Sequence, residues 1–158
     1  MVTNIWRQLL ISSDPHGLGP NRVIMSGMAL TNPFSQDPPI LIVDDDEPTR
    51  KLLQALLVRY GFQTEIASNG REAIELIQSR EYAVVVLDLM MPAASGQDVV
   101  DFLSGYPRRV PVVVCTAAGV AKSMTFDTNV VKAVIRKPFD IDQFIEVVKG
   151  LTAVHPTH

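Results

Sequence analysis

Ala83-Val84-Val85-Val86-Leu87-Asp88-Leu89-Met90-Met91-Pro92-Ala93-Ala94-Ser95-Gly96 is a short apolar run that ends in a carboxylate, followed by a loop punctuated by proline and glycine. An unbroken apolar run of this length predicts a strand covered on both faces, as in a parallel sheet. Asp88 then stands at the strand's C-terminal end, the edge where open α/β sheets hold their ligand crevice. An Asp in that place can also simply cap the next helix. The other strand ends decide between the two.

Upstream, Pro39–Val43 predicts the first strand, and Asp44-Asp45-Asp46 follows it at once. Pro48 suits the first turn of a helix, with Leu52, Leu53, Leu56 and Leu57 on one face and Gly61 placed to end it. Gln63–Ala67 is a modest second strand. Asn69 with Glu72 has the spacing of a capping box, and Ala73, Ile74 and Ile77 give the second helix its apolar stripe. Downstream of the third strand, Ser95–Ser104 predicts a helix with Val99, Val100, Phe102 and Leu103 facing the core. Val110–Thr116 is the fourth strand, ending in a hydroxyl. Residues 117–129 read as a weak helix with loops, since Gly119, Thr125, Thr128 and Asn129 are poor helix formers. Val130–Arg136 is the fifth strand, ending at Lys137-Pro138-Phe139. Asp140 can cap a last helix whose core face is Ile141, Phe144, Ile145 and Val148, with Phe139 and Phe144 in staple positions.

This alternation is a (βα)5 pattern, and short connections make it a doubly wound parallel sheet with helices on both faces. The chain of 158 residues is long enough for one domain with its own core. Hydrophobic residues make up 47% and charged residues 20%, a soluble globular composition. Cys115 is the single cysteine, so no intrachain disulfide can form, and its apolar surroundings predict a small core residue. This fits a reducing cytoplasm. A net charge of −3 argues against the chain itself binding nucleic acid. No apolar run approaches the roughly 20 residues a membrane helix needs.

Residues 1–38 differ from the rest, with Pro15, Pro20, Pro33 and Pro38, Gly17, Gly19 and Gly27, and no lasting period. They predict a mostly disordered extension with a short amphipathic helix or turn at 5–11. Met25 and Met28 are alternative candidate starts just before the domain. The domain itself is expected at 39–152, followed by a short tail at 153–158.

Right-handed crossovers bring every strand's C-terminal end to one edge. That edge collects Asp44, Asp45, Asp46, Asp88, Thr116 and Lys137. Converging carboxylates repel unless cations relieve them. All-oxygen ligands with room for water point to Mg²⁺. A carboxylate nucleophile, a metal, a lysine and a hydroxyl together suit phosphoryl transfer to Asp.

The chain resembles the receiver domains of two-component response regulators. The motifs that carry the resemblance are Ile42-Val43-Asp44-Asp45-Asp46, Leu87-Asp88-Leu89-Met90-Met91-Pro92 with Gly96, Val114-Cys115-Thr116-Ala117, and Lys137-Pro138-Phe139. The resemblance implies a flavodoxin-like sheet of order 2-1-3-4-5. It makes Asp88 the phosphoacceptor, fed by a histidine kinase or phosphotransfer protein. Asp44, Asp45, Asp88 and the backbone carbonyl of Met90 would hold Mg²⁺, with Asp46 turned towards solvent or the first helix. Thr116 and Lys137 would hold the phosphoryl group, small Ala117 would leave the site open to a donor, and Lys137–Pro138 would be cis. With nothing after the last helix, the expectation is a single-domain regulator, monomer or weak dimer, signalling through a downstream protein.

Two departures matter. Receivers usually carry an aromatic three residues before the lysine, and here Val134 stands there, where it is expected to pack within its strand. The usual coupling of hydroxyl and aromatic cannot operate, which predicts a muted or differently routed switch. The positions two after the acceptor and two after the threonine are Met90 and Ala118, neither able to hydrogen-bond an attacking water strongly, which predicts slow loss of the phosphoryl group. A phosphorylation-independent interaction scaffold is the alternative reading. A haloacid-dehalogenase-like phosphatase is a poor one, because Met90 fills the place of its second Asp. A transcription factor is disfavoured unless the chain is a fragment.

Overall fold

A computed structural model of the chain describes residues 22–25, 28–31, 37–92, 96–117 and 125–153. The chain divides into two compact units, Met1–Ser35 and Gln36–His158. In the first, β1 (Arg22–Met25) and β2 (Met28–Thr31) pair antiparallel, with Arg22 opposite Thr31 and Met25 opposite Met28. This pair of strands lies within the 1–38 stretch expected to be mostly disordered. Its four-residue runs are too short to show a period, and its one signal is the Ser26-Gly27 dipeptide between two apolar stretches. The expected helix at 5–11 lies outside the described residues, as does the 154–158 part of the tail.

The second unit alternates strand and helix: β3 (Ile40–Val43), α1 (Glu47–Arg59), β4 (Thr64–Ala67), α2 (Gly70–Ser79), β5 (Val84–Leu87), α3 (Gly96–Gly105), β6 (Val112–Ala117), β7 (Val131–Lys137) and α4 (Ile141–Ala153). The five strands form one parallel sheet in the order β4-β3-β5-β6-β7. Counted from β3, that is the 2-1-3-4-5 order expected. Strand alternation sorts the core onto two faces. Leu41, Val43, Val85, Leu87, Val112 and Val114 pack with α2 and α3 through Ala73, Ile77, Val99, Val100 and Leu103. Ile40, Ile42, Val84, Val86, Val113, Cys115 and Ile135 pack with α1 and α4 through Leu53, Leu57, Phe144, Ile145 and Val148. Cys115 is a buried core residue, and burial pushes its thiol up to about 12.

The helix ends follow local chemistry. Asp46 caps α1 by accepting from the N–H and the hydroxyl of Thr49, with Pro48 in the first turn. Gly61, at φ +90°, ends that helix in the left-handed region. Asn69 caps α2 through the Glu72 N–H, while the Glu72 carboxylate accepts from the N–H of Ser68, one residue further out than a capping box places it. The Phe139 and Phe144 rings lie 5.4 Å apart in the expected staple. The Lys137–Pro138 bond is cis.

Several sequence expectations need correcting. Leu52 and Ile141 are exposed, at 53% and 44%, so the apolar stripes of α1 and α4 are narrower than predicted. The fifth strand starts one residue later than expected, because Val130 closes a turn through its N–H bond to the Asp127 carbonyl. Of the weak helix predicted at 117–129, Ala117 belongs to β6, residues 125–129 are loop and turn, and 118–124 lie outside the described residues. Val134 is 40% exposed rather than packed, because β7 is an edge strand and Lys132, Val134 and Arg136 alternate on its open face.

Candidate functional site

Each buried polar side chain of the described core stands at the C-terminal edge of the sheet: Asp44 after β3, Asp88 after β5 and Thr116 near the end of β6. The strands bring them there because their apolar runs stop in register. Val43 pairs with Leu87, Leu87 with Val114, and Thr116 with Arg136, one residue before Lys137. Lys137, at the end of β7, reaches across to both carboxylates. Its Nζ donates to Asp44 Oδ2 and to Asp88 Oδ2, each at 2.8 Å. Burial pulls the ammonium's pKa down, but the hydrogen bonds and charges of the two aspartates outweigh it, and the net shift is upward from 10.5. The remaining carboxylate oxygens are held by backbone: Asp44 Oδ1 accepts from the Asp46 N–H and Asp88 Oδ1 from the Met90 N–H, both at 2.9 Å.

Asp45 is exposed, yet one oxygen from each of Asp44, Asp45 and Asp88 lies within 4.8 Å of the others. Three carboxylates against one ammonium leave a formal charge of −2 at one point, which suits a hard divalent cation. Thr116 Oγ1 is fully buried and has no hydrogen-bond partner among the described residues. A buried hydroxyl left unpaired is unfavourable, and the strand register puts this donor, without an acceptor among the described residues, at the same sheet edge as the acids. Asp46 stays out of the cluster. Its bonds from the Thr49 hydroxyl and N–H hold its pKa below the usual aspartate value.

Gly96 fixes the loop that carries Asp88. A Cβ there would lie 2.3 Å from the Asp88 carbonyl oxygen and 2.7 Å from Leu89 Cα, both backbone atoms that cannot yield without moving the acceptor. Gly96→Ala is therefore expected to destabilise the fold by about 1–3 kcal/mol, read as a lower urea midpoint at unchanged m-value.

The structure thus brings together Asp44, Asp45, Asp88 and Lys137, as the sequence predicts, with Met90 following Asp88 at 57% exposure. Ala117 is exposed, and Ala118 lies outside the described residues. Sequence reasoning missed Arg50, whose Nη1 donates to the Asp44 carbonyl oxygen. Its only signal was position, one turn into the helix that follows the acids.

Residues 40–149 match the response regulator receiver domain family. The chain belongs to this family. Among curated relatives, the transcriptional regulatory protein SrrA of Staphylococcus aureus is 36% identical over 114 residues, covering 71% of this chain and 46% of SrrA. The chain therefore spans less than half the length of that relative. The receiver is also similar to the response regulator protein TrrA of Thermotoga maritima, solved in complex with Mg(2+)-BeF. That match is at 31% identity and TM-score 0.66, over 72% of this chain and 98% of TrrA. The Francisella response regulator 1452 receiver domain aligns at 27% identity and TM-score 0.66, over 74% of this chain and 98% of that domain. Receiver domains bind Mg²⁺ at an acidic pocket, and the convergent Asp44, Asp45 and Asp88 oxygens fit one here. No helix among the described residues is long and apolar enough to cross a membrane.

Proposed function

We propose that this receiver takes a phosphoryl group onto Asp88 in a Mg²⁺-dependent reaction and signals through contacts with another protein. The observation that carries the reading is the Lys137 ammonium, bonded at 2.8 Å to both Asp44 and Asp88, beside a buried Thr116 hydroxyl with no partner among the described residues. Asp44, Asp45, Asp88 and the Met90 carbonyl would hold the Mg²⁺. When bound, the ion supplies positive charge to the phosphoryl oxygens. An Asp88 carboxylate oxygen attacks phosphorus while the bond from phosphorus to the donor breaks. With a phosphohistidine donor, the imidazole leaves and takes up a proton. Lys137, bonded to Asp88 beforehand, then follows the charge onto a phosphoryl oxygen. Thr116 Oγ1 donates to another. Such catalysis is positioning and charge stabilisation.

The natural donor in this reading is a histidine kinase or phosphotransfer protein, and the domain at 39–152 acts in the cytoplasm as a monomer or weak dimer. The small, exposed Ala117 supports access by a donor. This reading includes no direct nucleic-acid contact by this domain, supported by the net charge of −3. The exposed Val134 leaves the edge strand without the usual aromatic switch, which supports signal routing by another path. The scaffold alternative rests on that same residue.

Incubation with acetyl phosphate and Mg²⁺, read by intact mass, tests the reading. The expected result is a gain of one phosphoryl group, ~80 Da, that requires the metal. No gain from acetyl phosphate or from a cognate phosphodonor would favour the scaffold. The acyl phosphate, once formed, is expected to outlast a few seconds at neutral pH without a phosphatase, because the Met90 side chain offers no strong hydrogen bond to an attacking water. A chase by rapid-quench mass analysis checks this.

A further inference from the structure

Asp45 is the least supported of the three carboxylates. Lys137 and the Asp46 N–H hold Asp44, and Lys137 and the Met90 N–H hold Asp88. Among the described residues no hydrogen bond holds the Asp45 side chain, so of these residues it is the backbone of 44–46 that aims it. That backbone is pinned from both sides. The Asp46 N–H reaches back to Asp44 Oδ1, and Asp46 is tied forward to Thr49 as the cap of α1. The third tie is Arg50, whose guanidinium donates to the Asp44 carbonyl oxygen. With Arg50 in place Asp44 is 1% exposed, so the guanidinium, not bulk water, is the partner of that carbonyl.

We propose that Arg50 is a positioning residue for the metal site. Through the Asp44 carbonyl it fixes the Asp44–Asp46 turn, and so holds the Asp45 carboxylate towards the point shared with Asp44 and Asp88. The inference rests on the Mg²⁺ reading of that point. It has a sign that separates it from plain electrostatics. Arg50 is a cation beside an acidic cluster, so if it acted through charge alone, removing it would strengthen Mg²⁺ binding. If it acts by holding the turn, removing it weakens binding although the local field becomes more negative. Partners that orient a ligand without touching the metal typically matter about 10-fold or more in metal affinity.

The test is Mg²⁺ titration of the full chain by calorimetry, with Tm and amide NMR spectra recorded alongside. It compares wild type with Arg50→Met, Arg50→Gln and Arg50→Lys. Neither Met nor Gln carries a charge or reaches as a guanidinium does, and Gln provides a more soluble second variant. The expected result is about 10-fold weaker Mg²⁺ binding by folded Arg50→Met and Arg50→Gln, with partial recovery in Arg50→Lys. The Asp45 and Asp46 amide signals are expected to shift already in metal-free protein. A role limited to stability lowers Tm and leaves the affinity of the folded protein unchanged. Unchanged or tighter binding by either folded neutral variant overturns the inference while leaving the metal reading in place. Failure of the wild type itself to bind Mg²⁺ overturns both.

Discussion

Asp88→Asn is expected to take up no phosphoryl group from acetyl phosphate under conditions that label the wild type fully. The substitution keeps the shape of the side chain, and its carbonyl oxygen can still accept the Met90 N–H that holds Asp88 Oδ1. What it removes is the anionic oxygen that attacks phosphorus and one of the three carboxylates at the shared point. An amide oxygen is a far weaker nucleophile, so the loss is all-or-none on the timescale of the assay. Folding should survive, because Lys137 keeps its bond to Asp44 and one of several crowded negative charges is gone. Far-UV circular dichroism and the urea midpoint separate a folded, inert variant from a misfolded one.

The second large effect is on stability. Lys137→Met is expected to destabilise the metal-free protein by about 2–4 kcal/mol. Breaking a buried ion pair from one side typically costs about 3–5 kcal/mol, because the abandoned charge stays buried. Here the lysine side chain is 25% exposed against 2% for Asp44 and 9% for Asp88, so some of that penalty is screened. Two nearly buried carboxylates would face each other without their shared ammonium. With one ammonium fewer beside the three carboxylates, added Mg²⁺ is expected to bind Lys137→Met more tightly than wild type and so to narrow the gap between them, which an ordinary core defect with an intact site would not do. The pH dependence follows from the upward shift of Lys137. A raised lysine pKa contributes stability that is fully present below the ordinary value of 10.5 and is lost as pH rises through the higher folded value. The stability gap between wild type and Lys137→Met should therefore be level from about pH 7 to about pH 9 and close only above that range. Urea melts of both proteins in EDTA, at stepped pH, measure it.

The sheet and its reactive edge were legible in the sequence for a simple reason. A strand buried on both faces must be apolar throughout, so Ile40–Val43, Val84–Leu87 and Val112–Cys115 stand out, and any polar residue that follows them marks the edge. Asp44, Asp88 and Thr116 announce themselves in this way, and Lys137 does so through the Lys137-Pro138-Phe139 motif that ends the fifth strand. What was not legible depends on where neighbouring elements end. Leu52 and Ile141 carry the helical spacing of core residues, yet they sit at the margin of their stripes and face solvent. Val134 reads as strand packing, yet its strand is the last in the expected order, and the side chain is exposed there. Arg50 carries no pattern at all, because its partner is a backbone carbonyl six residues away and backbone acceptors are silent in a sequence.

The central claim is that the phosphoryl group lands on Asp88. The most direct measurement is peptide mapping by mass spectrometry after treating the wild type with acetyl phosphate and trapping the acyl phosphate by borohydride reduction. The account predicts modification at Asp88 alone, present with Mg²⁺ and absent in EDTA. Modification at Asp44, Asp45 or any other residue in place of Asp88, or labelling of Asp88 that is indifferent to the metal, would contradict it.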